Sequence, residues 1–310
     1  LGYDVSYVVL NAAEYGVPQN RERVFFFGTK ENKSFSFPKK THGEEKGMSP
    51  FETVDDWIMD IAGKENVIPN HIPLNHSETV TRRYELIPEG GKLPSPEKLP
   101  KEIRRSNFGN TYKRLDRKKP SPTLVPGNNA FPVPPILDRS LTPREAAGIQ
   151  TFPDKFIVEG HRRSQCIQIG NAIPPMIGKV LGKTISKYAK KKSGLIKKTD
   201  VSKQSKRPKI GESVLPISKT SKLSSRDGFV DLFCGAGGFT IGFSKSGWRH
   251  LLAADNNEHV IKTHSHNYPS IPFFSEDLSL EKNRKKLVSE LKGEEIGVVV
   301  GGPPCQGFSI

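Results

Sequence analysis

Asp231-Leu-Phe-Cys-Gly-Ala-Gly-Gly-Phe239 decides the fold class: an apolar run ends in a cluster of glycines, and an apolar helical pattern follows. Glycines where a strand turns into a helix let backbone N–H groups approach a ligand without side-chain obstruction. The strand is read over residues 229–233 and the helix near 239–246. Outward from there come a strand at 250–254, a helix near 258–266, a short strand, a helix at 280–291 and a strand at 296–300. That alternation predicts an α/β fold with a doubly wound, mostly parallel sheet. A nucleoside cofactor is the natural occupant of the turn. A dinucleotide is the competing occupant, but its fingerprint counted from Gly235 and Gly237 needs a third glycine where Thr240 stands. Asp255 ends the next strand, about the spacing at which an acid holds ribose hydroxyls, and Asp277 ends the one after it. Taken singly, each acid also suits an ordinary strand-end or capping role.

Gly301-Gly-Pro-Pro-Cys-Gln-Gly-Phe-Ser309 follows the last, Val-rich strand. Its two prolines stiffen a loop that presents Cys305 beyond the carboxyl edge of the sheet, the place for a nucleophile. A core cysteine needs no flanking Pro-Pro and Gly. Cys166 and Cys234 sit beside apolar positions and read as packing residues. The 3 cysteines lack the paired spacing of a zinc site or disulfide framework, which points to no metal and a reducing, cytoplasmic compartment. No apolar run reaches the roughly 20 residues that span a bilayer, and no signal-peptide pattern opens the chain. The chain begins at Leu1 and stops just after a Gly-Pro-Pro-Cys turn, which reads as a fragment.

Toward the N-terminus, residues 4–10 and 23–28 suit two buried strands joined by the polar stretch Tyr15 to Glu22. From about residue 30 to 135 the texture changes to Pro, Gly and charge, with one amphipathic helix evident at Phe51, Val54, Trp57, Ile58 and Ile61. Thr142-Pro-Arg-Glu145 supplies an N-cap, a first-turn proline and a glutamate placed to return the capping bond. A further helix is expected after Asn171, with Ile177, Leu181, Ile185 and Tyr188 on one face. Residues 187–227 are Lys- and Ser-rich without apolar periodicity and read as a flexible basic linker. The net charge of +15, from 48 Lys+Arg against 33 Asp+Glu, favours a polyanionic partner, although a solvated lysine-rich tail also raises it.

With these residues in view the chain resembles the DNA cytosine-5 methyltransferases, which move a methyl group from S-adenosylmethionine to C5 of cytosine. Residues 231–239 are similar to the family's first motif, Asp255 to its ribose-binding acid and Asp277 to its adenine-side acid. Gly302-Pro-Pro-Cys-Gln306 is similar to the nucleophile motif, and Gln19-Asn-Arg-Glu-Arg23 to the basic motif. Residues 139–154 and Gln168-Ile-Gly-Asn-Ala-Ile-Pro-Pro175 match two more. The resemblance implies a cofactor site at Phe233, Gly235, Ala236, Gly237, Gly238, Asp255, Asp277, Pro303, Asn171 and Ala172. It implies catalytic roles for Cys305, Arg23, Arg21 and Gln19, with Arg23 at O2 of the base. It implies double-stranded DNA as partner and a recognition domain over 30–160, with Arg82, Arg83, Arg104, Arg105, Lys113 and Arg114 as contacts. Residues 1–29, 161–186 and 228–310 then make up the catalytic domain.

Two departures stand out. The arginine motif opens the chain and the nucleophile closes it, the reverse of the family order. The order fits a circular permutant cut at both ends, or the tail of one enzyme joined to the head of a second. A further strand and a motif whose glutamate holds N3 of the target cytosine have no match here. That absence implies a second polypeptide supplying both, and predicts that Val298 to Val300 and Val5 to Leu10 lack a neighbour between them. A non-catalytic DNA-binding or assembly subunit is the alternative reading.

Overall fold

The computed structural model describes residues 2–31, 34–105, 109–125, 130–190 and 228–303. Runs of Val, Phe and Leu at both ends of the sequence form two sheets. In the first, β1 (Asp4–Asn11) and β2 (Glu22–Thr29) pair antiparallel, Tyr7 opposite Phe26 and Val9 opposite Val24. In the second, β3 (Gly228–Leu232), β4 (Arg249–Ala254), β5 (Phe273–Phe274) and β6 (Ile296–Gly301) are parallel in the order β5-β4-β3-β6. The chain steps outward from β3 through β4 to β5 and then returns to place β6 on the other side of β3. Such a reversal opens a crevice at the carboxyl ends of the two central strands.

Eight α-helices complete the described chain: α1 (Val54–Ile58), α2 (Glu78–Glu85), α3 (Pro143–Ile149), α4 (Arg162–Asn171), α5 (Pro175–Lys190), α6 (Gly238–Lys245), α7 (Glu258–Asn267) and α8 (Glu281–Glu290). The Thr142 capping box forms as its spacing predicts, with Thr142 N donating to Glu145 Oε2 at 2.7 Å and Thr142 Oγ1 accepting from Glu145 N. α4 carries no apolar repeat and α2 only the pair Val80 and Tyr84, and both escape the sequence reading. α5 runs to Lys190, into the stretch assigned to the linker; the rest of that stretch lies outside the described residues.

The two ends of the sequence share their cores. Leu10, Ala12, Tyr15 and Val17 pack with Ile177 and Leu181 of α5 and with Phe229, Phe243 and Trp248. A second cluster joins Val54, Trp57, Leu115, Phe131, Ile149, Phe156 and Ile169 to Ala236, Ile241 and Tyr268. Tyr84, Ile87, Leu93, Leu99, Ile103, Tyr112 and Val133 form a smaller cluster of their own, so the stretch 30–160 contributes to two cores. α7 latches the halves together: Asn267 bonds both backbone groups of Ile157, and Thr263 Oγ1 donates to Gln168 Oε1 at 2.8 Å.

Behind β4, the His250 ring stacks on Phe229 at 4.6 Å, with His264 edge-on to it, and both imidazoles are buried. Burial, with the neighbouring His264, pushes His250 down to about 3. Burial alone pushes His264 down to about 4. Both rings are neutral in the fold, whereas the unfolded chain protonates them below about pH 6.5. Their contribution to stability is therefore complete above about pH 6.5 and is lost as pH falls toward 4 and 3. Asp231 works the other way, because burial raises its carboxyl to about 7 and stability then declines as pH rises from about 4 to 7. With two imidazoles against one carboxyl, acidification from pH 6.5 to 4.5 should lower the urea midpoint, and His264→Phe should flatten that dependence. The His264 shift corresponds to about 3 kcal/mol. A midpoint in the variant that falls as steeply as in the parent would contradict this origin.

Candidate cofactor and nucleophile site

The carboxyl edge of the parallel sheet gathers the turns that follow each strand. After β3 the backbone turns sharply: Phe233, Gly235 and Gly237 all have positive φ, at 53°, 51° and 80°. For Phe233 that conformation carries steric strain, and its ring is left 38% exposed at the rim. Gly237 is the N-cap of α6, and a Cβ on Gly235 would stand in open space above the turn. Asp255, at the end of β4, accepts the Gly235 N–H through Oδ2 and the Asn257 N–H through Oδ1, each at 3.0 Å. Beneath the turn, the buried Asp231 accepts from Thr240 Oγ1 at 2.8 Å. Thr240, which breaks the dinucleotide fingerprint, thus anchors the base of the loop. Ala236 and Ala172 are buried in one cluster, and Gly238 approaches Ile173 so closely that a Cβ would lie 1.8 Å from its carbonyl oxygen. Asn171 is exposed beside them.

The arginine motif reaches the same edge from the other sheet. Asn20 is exposed between the buried Gln19 and Arg21, as alternation along an extended run requires. Arg21 Nη2 donates to Gly170 O at 2.9 Å, next to Asn171. Arg21 Nε and Nη1 and the Gln19 amide have no partner among the described residues. Burial, with Arg23 nearby, brings Arg21 down to about 9. Arg23 itself is exposed on β2. Pro303 is exposed beyond β6, and Cys305 lies outside the described residues. Cys166 and Cys234 are buried, as their apolar neighbours predict.

One expected site residue, Arg114, is placed differently from its reading. Asp277 is exposed, and its Oδ1 accepts the Ser279 N–H at 2.8 Å in a turn before α8, a bond that holds its carboxyl below the usual range. Arg114 is buried, and its guanidinium donates to the carbonyls of Tyr84, Ile87, Pro134 and Leu137 and to Asp138. A DNA contact through Arg114 is thereby corrected to a structural tie across the small core. Arg114→Met should lower stability by about 2 to 4 kcal/mol, since four carbonyls lose their buried donor, whereas the 42% exposed Asp138 can turn to water. It should leave the salt dependence of DNA binding unchanged; an altered salt slope with unaltered stability would restore the original reading. Arg82, Arg104 and Arg105 are exposed, and Arg83 and Lys113 are half-buried. Arg83 donates to Ile103 O at 2.7 Å, Arg104 donates to Leu99 O, and Arg105 lies over the Tyr112 ring.

Residues 1–187 and 228–310 match the family profile described as C-5 cytosine-specific DNA methylase. The chain belongs to that family. Curated relatives include the Type II methyltransferase M1.HphI of Haemophilus parahaemolyticus, 34% identical over 192 residues, which are 60% of this chain and 49% of that protein. M.NgoFVII of Neisseria gonorrhoeae is 37% identical over 195 residues, 59% of this chain and 50% of that protein. The chain thus spans about half the length of these relatives. M.AquIB of Picosynechococcus sp. is 34% identical over 130 residues, 38% of this chain but 88% of that protein. Among the described residues no helix is long and apolar enough to cross a membrane, and no cluster of His, Cys, Asp and Glu could hold a metal ion.

Proposed function

We propose that this chain takes part in methyl transfer from S-adenosylmethionine to C5 of cytosine in double-stranded DNA, as the modification component of a restriction-modification system in the cytosol. The observation that carries the reading is the strained, open turn Phe233–Gly237 with the Asp255 carboxylate drawn against it. A nucleoside fits there: ribose hydroxyls against Asp255, the base against the exposed Phe233 ring, and the polar tail toward Asn171 and the α6 N-terminus. When bound, S-adenosylmethionine supplies an electrophilic methyl group.

The chain's own residues would prepare the base. The Cys305 thiolate adds to C6, and the electron pair of the C5–C6 bond takes the methyl group at C5. Loss of the C5 proton to a base then restores the double bond and expels the thiolate. Arg23 donates to O2, while Gln19 and Arg21 support that strand. The target base must leave the stack, at a cost of a few kcal/mol that phosphate and groove contacts from Arg82, Arg83, Arg104, Arg105 and Lys113 offset. A second reading, a subunit active only with a partner chain, is favoured by the outer edge of β6, which is unpaired among the described residues.

Calorimetry tests the cofactor step. The folded chain should bind S-adenosylmethionine, and Asp255→Ala should weaken binding about tenfold or more, the loss of one charge-assisted hydrogen-bonding group. A folded chain that binds no cofactor, or a variant that binds it equally well, would sink the assignment.

A further inference from the structure

Beneath the turn between β3 and α6 lies a buried polar cluster that the proposed reaction leaves without a task. Asp231 is fully buried in the centre of the sheet, with Ala253 and Val300 as its neighbours on β4 and β6. Among the described residues its only hydrogen-bonding partner is Thr240, through the hydroxyl at 2.8 Å and the backbone. Thr240 belongs to the first turn of α6, whose N-terminal dipole favours a negative charge, but burial outweighs it and raises the carboxyl to about 7. The charged group that Asp231 faces is a second carboxylate, Asp255 at the end of β4, which drives its carboxyl in the same direction. The other titratable neighbours are neutral. Burial, with both carboxylates, pushes the Cys234 thiol well up, and burial, with Asp231 and Cys234, does the same to the buried Tyr268 hydroxyl just past α7. Behind Tyr268 stand His264 at 5.1 Å and His250 at 6.2 Å, both neutral near pH 7. Two acids thus flank one open turn, Asp255 through the Gly235 N–H and Asp231 through Thr240, and among the described residues neither has a cation.

We propose that Asp231 is a charge sensor of the cofactor pocket, which releases its proton to solvent when a cationic ligand occupies the turn and keeps it when the ligand is neutral. The inference rests on the cofactor reading above and deepens it. S-adenosylmethionine carries a sulfonium, whereas S-adenosylhomocysteine, left after methyl transfer, has a neutral thioether in its place. A cation supplies the compensation that the buried cluster lacks, so it favours ionised Asp231, and by linkage ionised Asp231 favours the cation. A neutral thioether offers no such return, and Asp231 recovers a proton from solvent once the positive charge is gone. The pocket therefore tells the methyl donor from its spent product by charge, although the two differ by one methyl group, and the preference grows as pH rises through about 7.

Calorimetry of the full chain with each of the two ligands tests this without any turnover. Titrations at pH 6.5 in buffers of different ionisation enthalpy count protons. If the cation lowers the carboxyl by about one unit from about 7, S-adenosylmethionine should release about half a proton more than S-adenosylhomocysteine. Between pH 6 and 7.5 the ratio of the two affinities should move about fourfold toward S-adenosylmethionine. The α-amino group is common to both ligands and drops out of the comparison. Asp231→Asn keeps the size of the side chain and an acceptor for Thr240, and should hold the ratio constant over that range. Should that variant fail to fold, the proton count of the parent decides alone. Equal proton release with the two ligands, a constant affinity ratio in the parent, or the same drift in folded Asp231→Asn would each overturn the proposal while leaving the cofactor reading intact. A folded chain that binds neither ligand would remove both.

Discussion

Purified by itself, the 310-residue chain should methylate DNA about 10² to 10⁴ times more slowly than the same chain with a complementing segment bound. Cytosine C6 is a poor electrophile until N3 is protonated or hydrogen-bonded. No residue in this sequence matches the family glutamate that serves N3, and Arg23 at O2 would polarise only one side of the ring. Removing a positioned acid commonly costs a factor of that size. Among the described residues β6 pairs on one side only, which adds to the deficit. Adding the segment should restore transfer of labelled methyl groups to DNA, and Cys305→Ser should then abolish it. Robust turnover by the chain alone would refute the expectation and require another group, from this chain or a second copy, at N3.

The second large effect is expected at the crossing of α5 and α6. A Cβ on Gly242 would lie 2.4 Å from Lys179 N and 2.5 Å from the Gly178 backbone. Backbone atoms cannot rotate aside, so Gly242→Ala must push the helices apart and open the cluster of Ile177, Leu181, Phe243 and Trp248. A loss of about 4 kcal/mol or more is expected, beyond the ordinary range for a single substitution. Gly182→Ala is the contrast. There the nearest atom is Ser246 Oγ, the end of a side chain that can turn away, so a loss of about 1 kcal/mol is expected after the gain in helix propensity. Urea unfolding of the two variants checks the ranking. Equal stability of Gly242→Ala and the parent would mean that the two ends of the sequence do not share one core.

Where local chemistry decides, the sequence was readable. The apolar runs at 229–233, 250–254 and 296–300 become β3, β4 and β6 within a residue or so, and Thr142 with Glu145 forms the capping box its spacing predicts. The glycines at 235 and 237 take the positive φ for which their position calls. What escaped depends on partners distant in sequence. Arg114 beside Lys113 looks like a surface pair, yet the carbonyls that bury it come from residues 20 to 30 positions away. α4 buries Ser164, Cys166 and Gln168, whose polar groups find partners such as the Glu159 carbonyl, so no apolar stripe betrays it. The same holds for α2, where Val80 and Tyr84 are the only apolar pair at helical spacing. Thr240 looked like a mere departure from a fingerprint, and its hydroxyl bond to Asp231 is visible only once the turn is folded. The missing neighbour of β6 was legible in the motif pattern. The exposure of Tyr7 and Phe26 was not, because it depends on what lies above them.

The most direct measurement is to identify the methylated atom in DNA treated with labelled S-adenosylmethionine and the complemented chain, by digesting the product to nucleosides and separating them by mass and retention. The account predicts 5-methylcytosine, formed by the parent and lost in Cys305→Ser. Label on an exocyclic nitrogen of cytosine or adenine, or 5-methylcytosine formed equally by the Cys305→Ser variant, would contradict it.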